Sequence, residues 1–479
     1  MGQRARLIRG PAAALMVAGV LAGCTSATDG QGSTRNNAGR PPGQSSSRPG
    51  ATPAGSCPTK YAVPDPNRPK VRLAFSVDSG LSTVRGDEKV EFRPDKPITE
   101  MVFRLTANTA PTVQQGNKIV IASAVADHGG GKFRFTRANA DPSTQGGLLR
   151  IPFVRTVPAG TTVTATISFT LTLGADSFDR FGTAQGFAYF GSGHPLLAWE
   201  RGYGWHTEDM IQFSAESATS EAADTDLTVT APAAETVIMS GNPAEPRKSG
   251  VTRTWHSTIS AARDVSVSVG PFVVGDSKVD GVDLRIAAPS AAERDRLVPE
   301  FRRAITELAK RFGPYPFPSL SVARLPANGG GIEYPASILM LDSSRLVAVH
   351  ETAHQWFYAM VGDSQARHPW LDEGFATYAE QLVNGHPESS TSLAAPGKVD
   401  ASTESYGGDT QRYYFTTYNK GAAALEAARE AAGPAKWDAA LRCYVAKNAW
   451  RIANPSDLQA ALAGLPAGIA VLRKAGALR

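Results

Sequence analysis

Two histidines four positions apart, in His350-Glu351-Thr352-Ala353-His354, constrain this chain more than any other feature. On a helix such positions share one face, so both imidazoles can converge on one point. Ser343 and Ser344 offer N-caps, and the apolar run from Leu346 through Val361 to Gly362 reads as one buried helix with a glycine stop. Two histidines and a glutamate are costly to bury in so apolar a helix unless something uses them. Glu373 follows after eighteen intervening residues, within Trp370-Leu371-Asp372-Glu373-Gly374-Phe375-Ala376. It can supply a third ligand from a second helix packed on the first, leaving the fourth tetrahedral position to water. The pattern is therefore that of one zinc ion held by His350, His354 and Glu373, on a fold that brings two helices together there.

Glu351 lies beside a ligand without being one, and is placed to take a proton from a zinc-activated water and pass it to a leaving amine. Attack on a carbonyl also develops an oxyanion, for which a phenol is a suitable donor. Tyr413, Tyr414 and Tyr418 are all candidates, and composition does not choose among them. The stretch Gly329-Gly330-Gly331-Ile332-Glu333-Tyr334-Pro335 puts a carboxylate directly after a glycine run. Backbone at Gly330 and Gly331 can approach a substrate closely, a neighbouring strand edge can pair with a peptide, and Glu333 can hold a free α-ammonium. A plain loop with a solvated Glu333 fits the same spacing.

The pattern changes character near residue 275. Val163, Ala165, Ile167, Phe169, Leu171 and Leu173 alternate with Thr and Ser, the signature of a strand with one buried and one wet face. Shorter runs of this kind at 70–77, 101–105, 118–123, 226–230 and 265–269, separated by turn residues, make 57–275 an all-β domain. Helical spacing dominates 276–479. Ser290 to Glu293 has the form of a capping box, and Pro299 inside the following helix predicts a kink or break. Residues 320–323 and 332–341 read as strands, and 422–432, 437–447 and 456–462 as helices.

Arg4, Arg6 and Arg9, an apolar stretch from Ala12 to Val20, and Leu21-Ala22-Gly23-Cys24 make residues 1–23 a lipoprotein signal peptide. Cleavage before Cys24 leaves a lipid-bearing cysteine on the outer face of a cell membrane. Residues 24–56, rich in Gly, Ser, Thr and Pro, are a disordered tether. The formal charge is +5, and leader and tether carry all of it, so the folded part is neutral. That excludes the basic footprint of a nucleic-acid binder, and Gly129-Gly130-Gly131-Lys132 lacks the length and the Ser/Thr of a P-loop. Cys57 and Cys443 remain, and an oxidising compartment allows them to pair.

His350-Glu351-x-x-His354-Gln355-Trp356-Phe357 with Trp370-Leu371-x-Glu373-Gly374-Phe375-Ala376 resembles the aminopeptidase N-like zinc metallopeptidases, a gluzincin family. Gly330-Gly331-Ile332-Glu333-Tyr334 is similar to that family's glycine-x-methionine-glutamate-asparagine loop, and Tyr418-Asn419-Lys420-Gly421-Ala422 to its tyrosine ahead of lysine-glycine-alanine. The resemblance implies an N-terminal β-saddle domain on a thermolysin-like α+β catalytic domain. It implies that Glu333 anchors the substrate amine, Tyr418 stabilises the transition state and Glu351 is the base. Ile332 and Tyr334 depart from the family loop, and Asp372 stands where asparagine is usual. The large C-terminal helical domain of many relatives is not found in the 106 residues after Glu373. No second amine anchor is recognisable in the β domain, and His194, His206 and His368 are not assigned.

The expectation is a lipid-anchored, extracytoplasmic zinc peptidase acting on peptides or proteins, with removal of N-terminal residues preferred. The alternatives are an endopeptidase with an open cleft and a peptide-binding lipoprotein without turnover.

Overall fold

The computed structural model describes residues 57–176, 179–209, 211, 219–386 and 390–479. The leader, the tether and Cys24 lie outside them. Strands Lys70–Val77 (β1), Thr83–Phe92 (β2), Lys118–Ala126 (β3), Val163–Thr172 (β4), Ala223–Pro232 (β5), Arg247–Ser249 (β6) and Thr252–Ala262 (β7) form one sheet in the order β6-β7-β5-β1-β2-β4-β3. All its neighbours are antiparallel except β1 and β5. The alternation in β4 does what the sequence requires: Val163, Ala165, Ile167, Phe169 and Leu171 are buried, and the Thr and Ser between them are not. Smaller sheets, one built on Ile98–Arg104 and Leu148–Val157 and another on Phe187–Gly191 and Ser266–Gly270, close the core around Phe75, Phe103, Phe190 and Trp199.

Val273 opens a second, mixed sheet of Val273–Val279 (β8), Val282–Ala288 (β9), Ser319–Arg324 (β10), Gly331–Tyr334 (β11) and Ser337–Met340 (β12), in the order β8-β9-β10-β12-β11. Helices Ala291–Phe312 (α1), Arg345–Ala353 (α2), Glu373–Asn384 (α3), Gly421–Ala432 (α4) and Pro434–Asn448 (α5) surround a separate core containing Trp356, Trp370, Phe375 and Trp437. A sheet-rich N-terminal part is thus followed by a helical α+β part. The first folded residues lie against that helical part. Cys57 is bonded to Cys443, the Ala62 N–H donates to the Ala446 carbonyl at 2.8 Å, and Tyr61 accepts from the Trp356 indole at 3.1 Å.

Three local expectations are corrected. Pro299 does not break α1, which runs unbroken to Phe312. Pro299 and Asp295 are both exposed, so the carbonyl that loses its partner faces water. The run 332–341 is a hairpin rather than one strand, because Pro335 and Ala336, the latter at φ 56°, turn it back. The helix begun at Ser344, whose hydroxyl accepts from the Val347 N–H at 3.2 Å, ends at Ala353 instead of reaching Gly362. Tertiary bonds take over there. Arg263 Nε donates to the Tyr358 carbonyl at 3.0 Å, an oxygen that a helix continued to Gly362 would have used internally, and its Nη2 to the Met360 carbonyl at 3.3 Å.

Candidate metal centre

α2 presents His350, with His354 one turn on as its C-cap in helical conformation, and α3 begins with Glu373 opposite them. Glu373 Oε2 lies 3.3 Å from His350 Nε2 and 3.4 Å from His354 Nε2. A tetrahedral ion with bonds of about 2.05 Å has ligand–ligand edges of about 3.3 Å, which the two distances to Glu373 match, and the three donors lie within 4.8 Å of one another. His354 is further constrained, since its Nδ1 meets Asp372 Oδ1 at 2.5 Å, leaving Nε2 as the ligating atom. Gln365 Nε2 donates to the other Asp372 oxygen at 3.4 Å.

Charge explains how so many ionisable groups share the buried space. Burial pushes the Glu373 carboxyl up, but His354 and then His350 pull it well below the usual carboxylate range. Burial lowers His354, and Glu333, Asp372 and Glu373 together reverse that. Glu333 and Asp372 are both raised, chiefly by burial and against the pull of His354. The site holds more carboxyl groups than imidazoles, and a bound divalent cation would favour their ionised forms.

Glu351 is 4% exposed on the ligand-bearing helix. Gly331 lies against it so closely that a Cβ there would come within 2.4 Å of Glu351 Cγ, which is a physical reason for glycine at the start of β11. Gly330 is different. Its position is open, and its carbonyl accepts the Leu341 and Asp342 N–H groups at 2.9 Å. Alternation along β11 sends Ile332 and Tyr334 into an apolar cluster with Phe187 and Tyr189. Glu333 points the other way, where a carboxylate oxygen lies within 4.8 Å of donor atoms of His354 and Asp372. β11 is also the sheet edge.

Of the three tyrosines, Tyr418 reaches the ligands. Its ring stacks on His350 at 5.9 Å with an interplanar angle of 3°, and its hydroxyl donates to Glu373 Oε1, the oxygen turned away from the histidines. Burial, and then Glu373, hold that phenol far above its ordinary value, so it remains a donor. Tyr413 instead packs edge-on against Tyr406, and Tyr414 backs Tyr418 at 4.9 Å. Tyr418 sits in a π-helical turn, Phe415–Lys420, and Lys420 Nζ donates to the carbonyls of Ala395 and Gly397.

The unassigned histidines have other partners. His194 lies between Glu88 at 3.2 Å and Asp264 at 3.3 Å, His206 meets Glu200 at 2.9 Å, and His368 meets Asp400 at 2.7 Å. Sequence reasoning missed the role of Gln355. It was visible only as part of the His-Gln-Trp-Phe motif, although its amide joins the metal-site segment to the β11–β12 turn.

Fold and donor set together are those that a zinc-dependent hydrolytic site requires. Residues 334–471 match the model of the peptidase family M1 domain. The chain is 26% identical over 270 residues to aminopeptidase M1-A of Oryza sativa subsp. japonica, covering 48% of this chain and 31% of that protein. With human endoplasmic reticulum aminopeptidase 1 it shares 26% identity over 186 residues, 32% of this chain and 20% of the relative. It thus spans under a third of the length of these relatives. The M1 zinc metallopeptidase of Deinococcus radiodurans has the same fold, with a TM-score of 0.63 at 20% identity over 86% of this chain and 94% of that one. A mutant of that enzyme bound to a Tyr-Ser-Ala substrate superposes with a TM-score of 0.61 at 19% identity, covering 86% and 95%.

Proposed function

We propose that this protein removes N-terminal residues from peptides outside the cytoplasm, held at a membrane by lipid on Cys24. The observation that carries the exopeptidase reading is Glu333, a carboxylate 4% exposed and turned from the sheet edge toward the metal-binding residues. An α-ammonium paired with Glu333 brings the first peptide carbonyl of a substrate beside the three ligands. A Tyr-Ser-Ala substrate is bound to a neighbour of the same fold, which supports a short peptide as substrate.

His350, His354 and Glu373 would hold one zinc ion, which when bound polarises the scissile carbonyl and acidifies the attacking water. Glu351 takes the proton of that water and delivers it to the departing amine. Tyr418 donates its hydroxyl hydrogen to the oxygen that gains charge, at a site where burial strengthens the contribution. Asp372 holds His354 in the tautomer that ligates through Nε2.

Paired pools of free and N-acetylated peptides, incubated with the zinc-loaded protein and read by mass spectrometry beside a chelated control, test this. Chelator-sensitive ladders from free N-termini alone are expected. Internal cuts in the acetylated pool would replace the exopeptidase reading with an endopeptidase one, and no cutting in either pool would favour a binding protein.

Export rests on the leader sequence and is supported by the Cys57–Cys443 bond, which suits an oxidising compartment. Among the described residues no helix is long and apolar enough to cross a membrane. Cys24→Ser should move the protein from the membrane fraction to the soluble one. Unchanged fractionation would remove the lipid anchor.

A further inference from the structure

We propose that Gln355 is a positioning residue that sets the distance between the substrate's amine and the metal ligands, an inference that rests on the amine-anchoring reading of Glu333. Gln355 follows His354 directly and is fully buried. Its Nε2 donates to the Tyr334 carbonyl at 3.0 Å, and its Oε1 accepts from the Ala336 N–H at 3.0 Å. A carbonyl and the N–H two residues on are the groups that one face of a strand offers a neighbour, so the side-chain amide acts there as a one-residue strand partner. The Tyr315 hydroxyl donates to the same Oε1 at 3.2 Å and holds the amide in one orientation.

The consequence concerns Glu333. It occupies the residue before the grasped carbonyl, on an edge strand of four residues paired on one side only by β12. The turn after it holds Ala336 at φ 56°, a conformation that L side chains rarely adopt without outside support. Gln355 supplies that support from the residue next to a metal ligand. The anchor for the amine and the histidines for the metal are thereby tied through one side chain instead of through the 20 residues of chain from Glu333 to His354.

The test compares wild type, Gln355→Met, Gln355→Glu, Glu333→Ala and the Gln355→Met/Glu333→Ala double variant on an aminoacyl p-nitroanilide and on its N-acetylated form. Zinc affinity is measured in parallel by chelator competition. Gln355→Met should raise KM for the free-amine substrate about fivefold to tenfold, the loss expected from two hydrogen bonds, with zinc affinity little changed and the acetylated substrate still refused. Adding it to Glu333→Ala should cost little more, because the two act through one function. Gln355→Glu retains an acceptor for Ala336 and Tyr315 but sets a buried carboxylate oxygen against the Tyr334 carbonyl, so it should shift KM in the same direction and by more. Additive losses in the double variant, or zinc loss matching the loss of activity, would overturn the proposal by showing a general packing role. Wild type that treats free and acetylated substrates alike would remove the anchor reading itself and this inference with it, a result visible before any variant is made.

Discussion

Gly374 and Gly421 pack backbone to backbone where α3 crosses α4: a Cβ on Gly421 would lie 3.1 Å from the Gly374 Cα. Gly374 follows the ligand Glu373, and Gly421 lies three residues after Tyr418, so this crossing brings the phenol onto the ligand's free oxygen. Gly421→Ala should push the helices apart, costing about 1–3 kcal/mol of stability and lowering kcat more than it changes zinc affinity. Melting curves, kcat and chelator competition on the one variant separate these effects. Unchanged kcat would mean that Tyr418 does not need this spacing.

Glu351→Gln keeps the helix and the ligands but loses the proton acceptor. Turnover should fall by about 10²-fold to 10⁴-fold with zinc content intact. His354→Ala should lose the metal. Zinc stoichiometry measured beside the rate distinguishes the two, and full turnover in Glu351→Gln would disprove the assignment of the base.

Asp372 Oδ1 meets His354 Nδ1 at 2.5 Å. Asp372→Asn retains the shape and removes the charge, and zinc affinity should weaken about 10-fold to 100-fold. Competition with a fluorescent chelator reads this directly, without reference to turnover.

Burial lowers the His194 imidazolium, yet Glu88 and Asp264 outweigh it and hold it up at about 10, from an ordinary 6.5. A folded value above the unfolded one means that stability is fully present below pH 6.5 and is lost as pH rises toward 10. Glu88, itself raised by burial, acts in the same direction from a lower starting point. Urea midpoints should therefore decline across that window, and His194→Gln should flatten the decline. A wild-type profile level from 6.5 to 10 would refute it.

The Cys57–Cys443 bond closes a separation of 386 residues and ties the first folded segment to α5, beside the Tyr61 contact with Trp356. Cys443→Ser should cost roughly 2–5 kcal/mol in unfolding measurements and make wild type and variant alike under reductant. Equal stability of the two under oxidising conditions would show that the staple restrains nothing in the unfolded chain.

Much of this was present in the one-dimensional chain because it depends on short-range periodicity. Four-residue spacing puts His350 and His354 on one helix face, two-residue alternation buries one side of β4, and the Ser344 cap starts α2; each follows from bonds and side-chain directions within a few residues. The failures share the opposite cause. The segment after His354 is not helical and is held by Arg263, 91 residues earlier, which binds the Tyr358 carbonyl, and the 332–341 run folds back while Gln355 supports its turn. The sequence by itself determined which groups are available: two imidazoles and a carboxylate for zinc, a base, an acid on a glycine-flanked strand and a phenol. Only the tertiary structure decided that Tyr418 among three tyrosines reaches Glu373, and that Glu333 turns toward His354. Those choices depend on how close two helices and a strand edge approach, a distance set by packing between residues far apart in the chain.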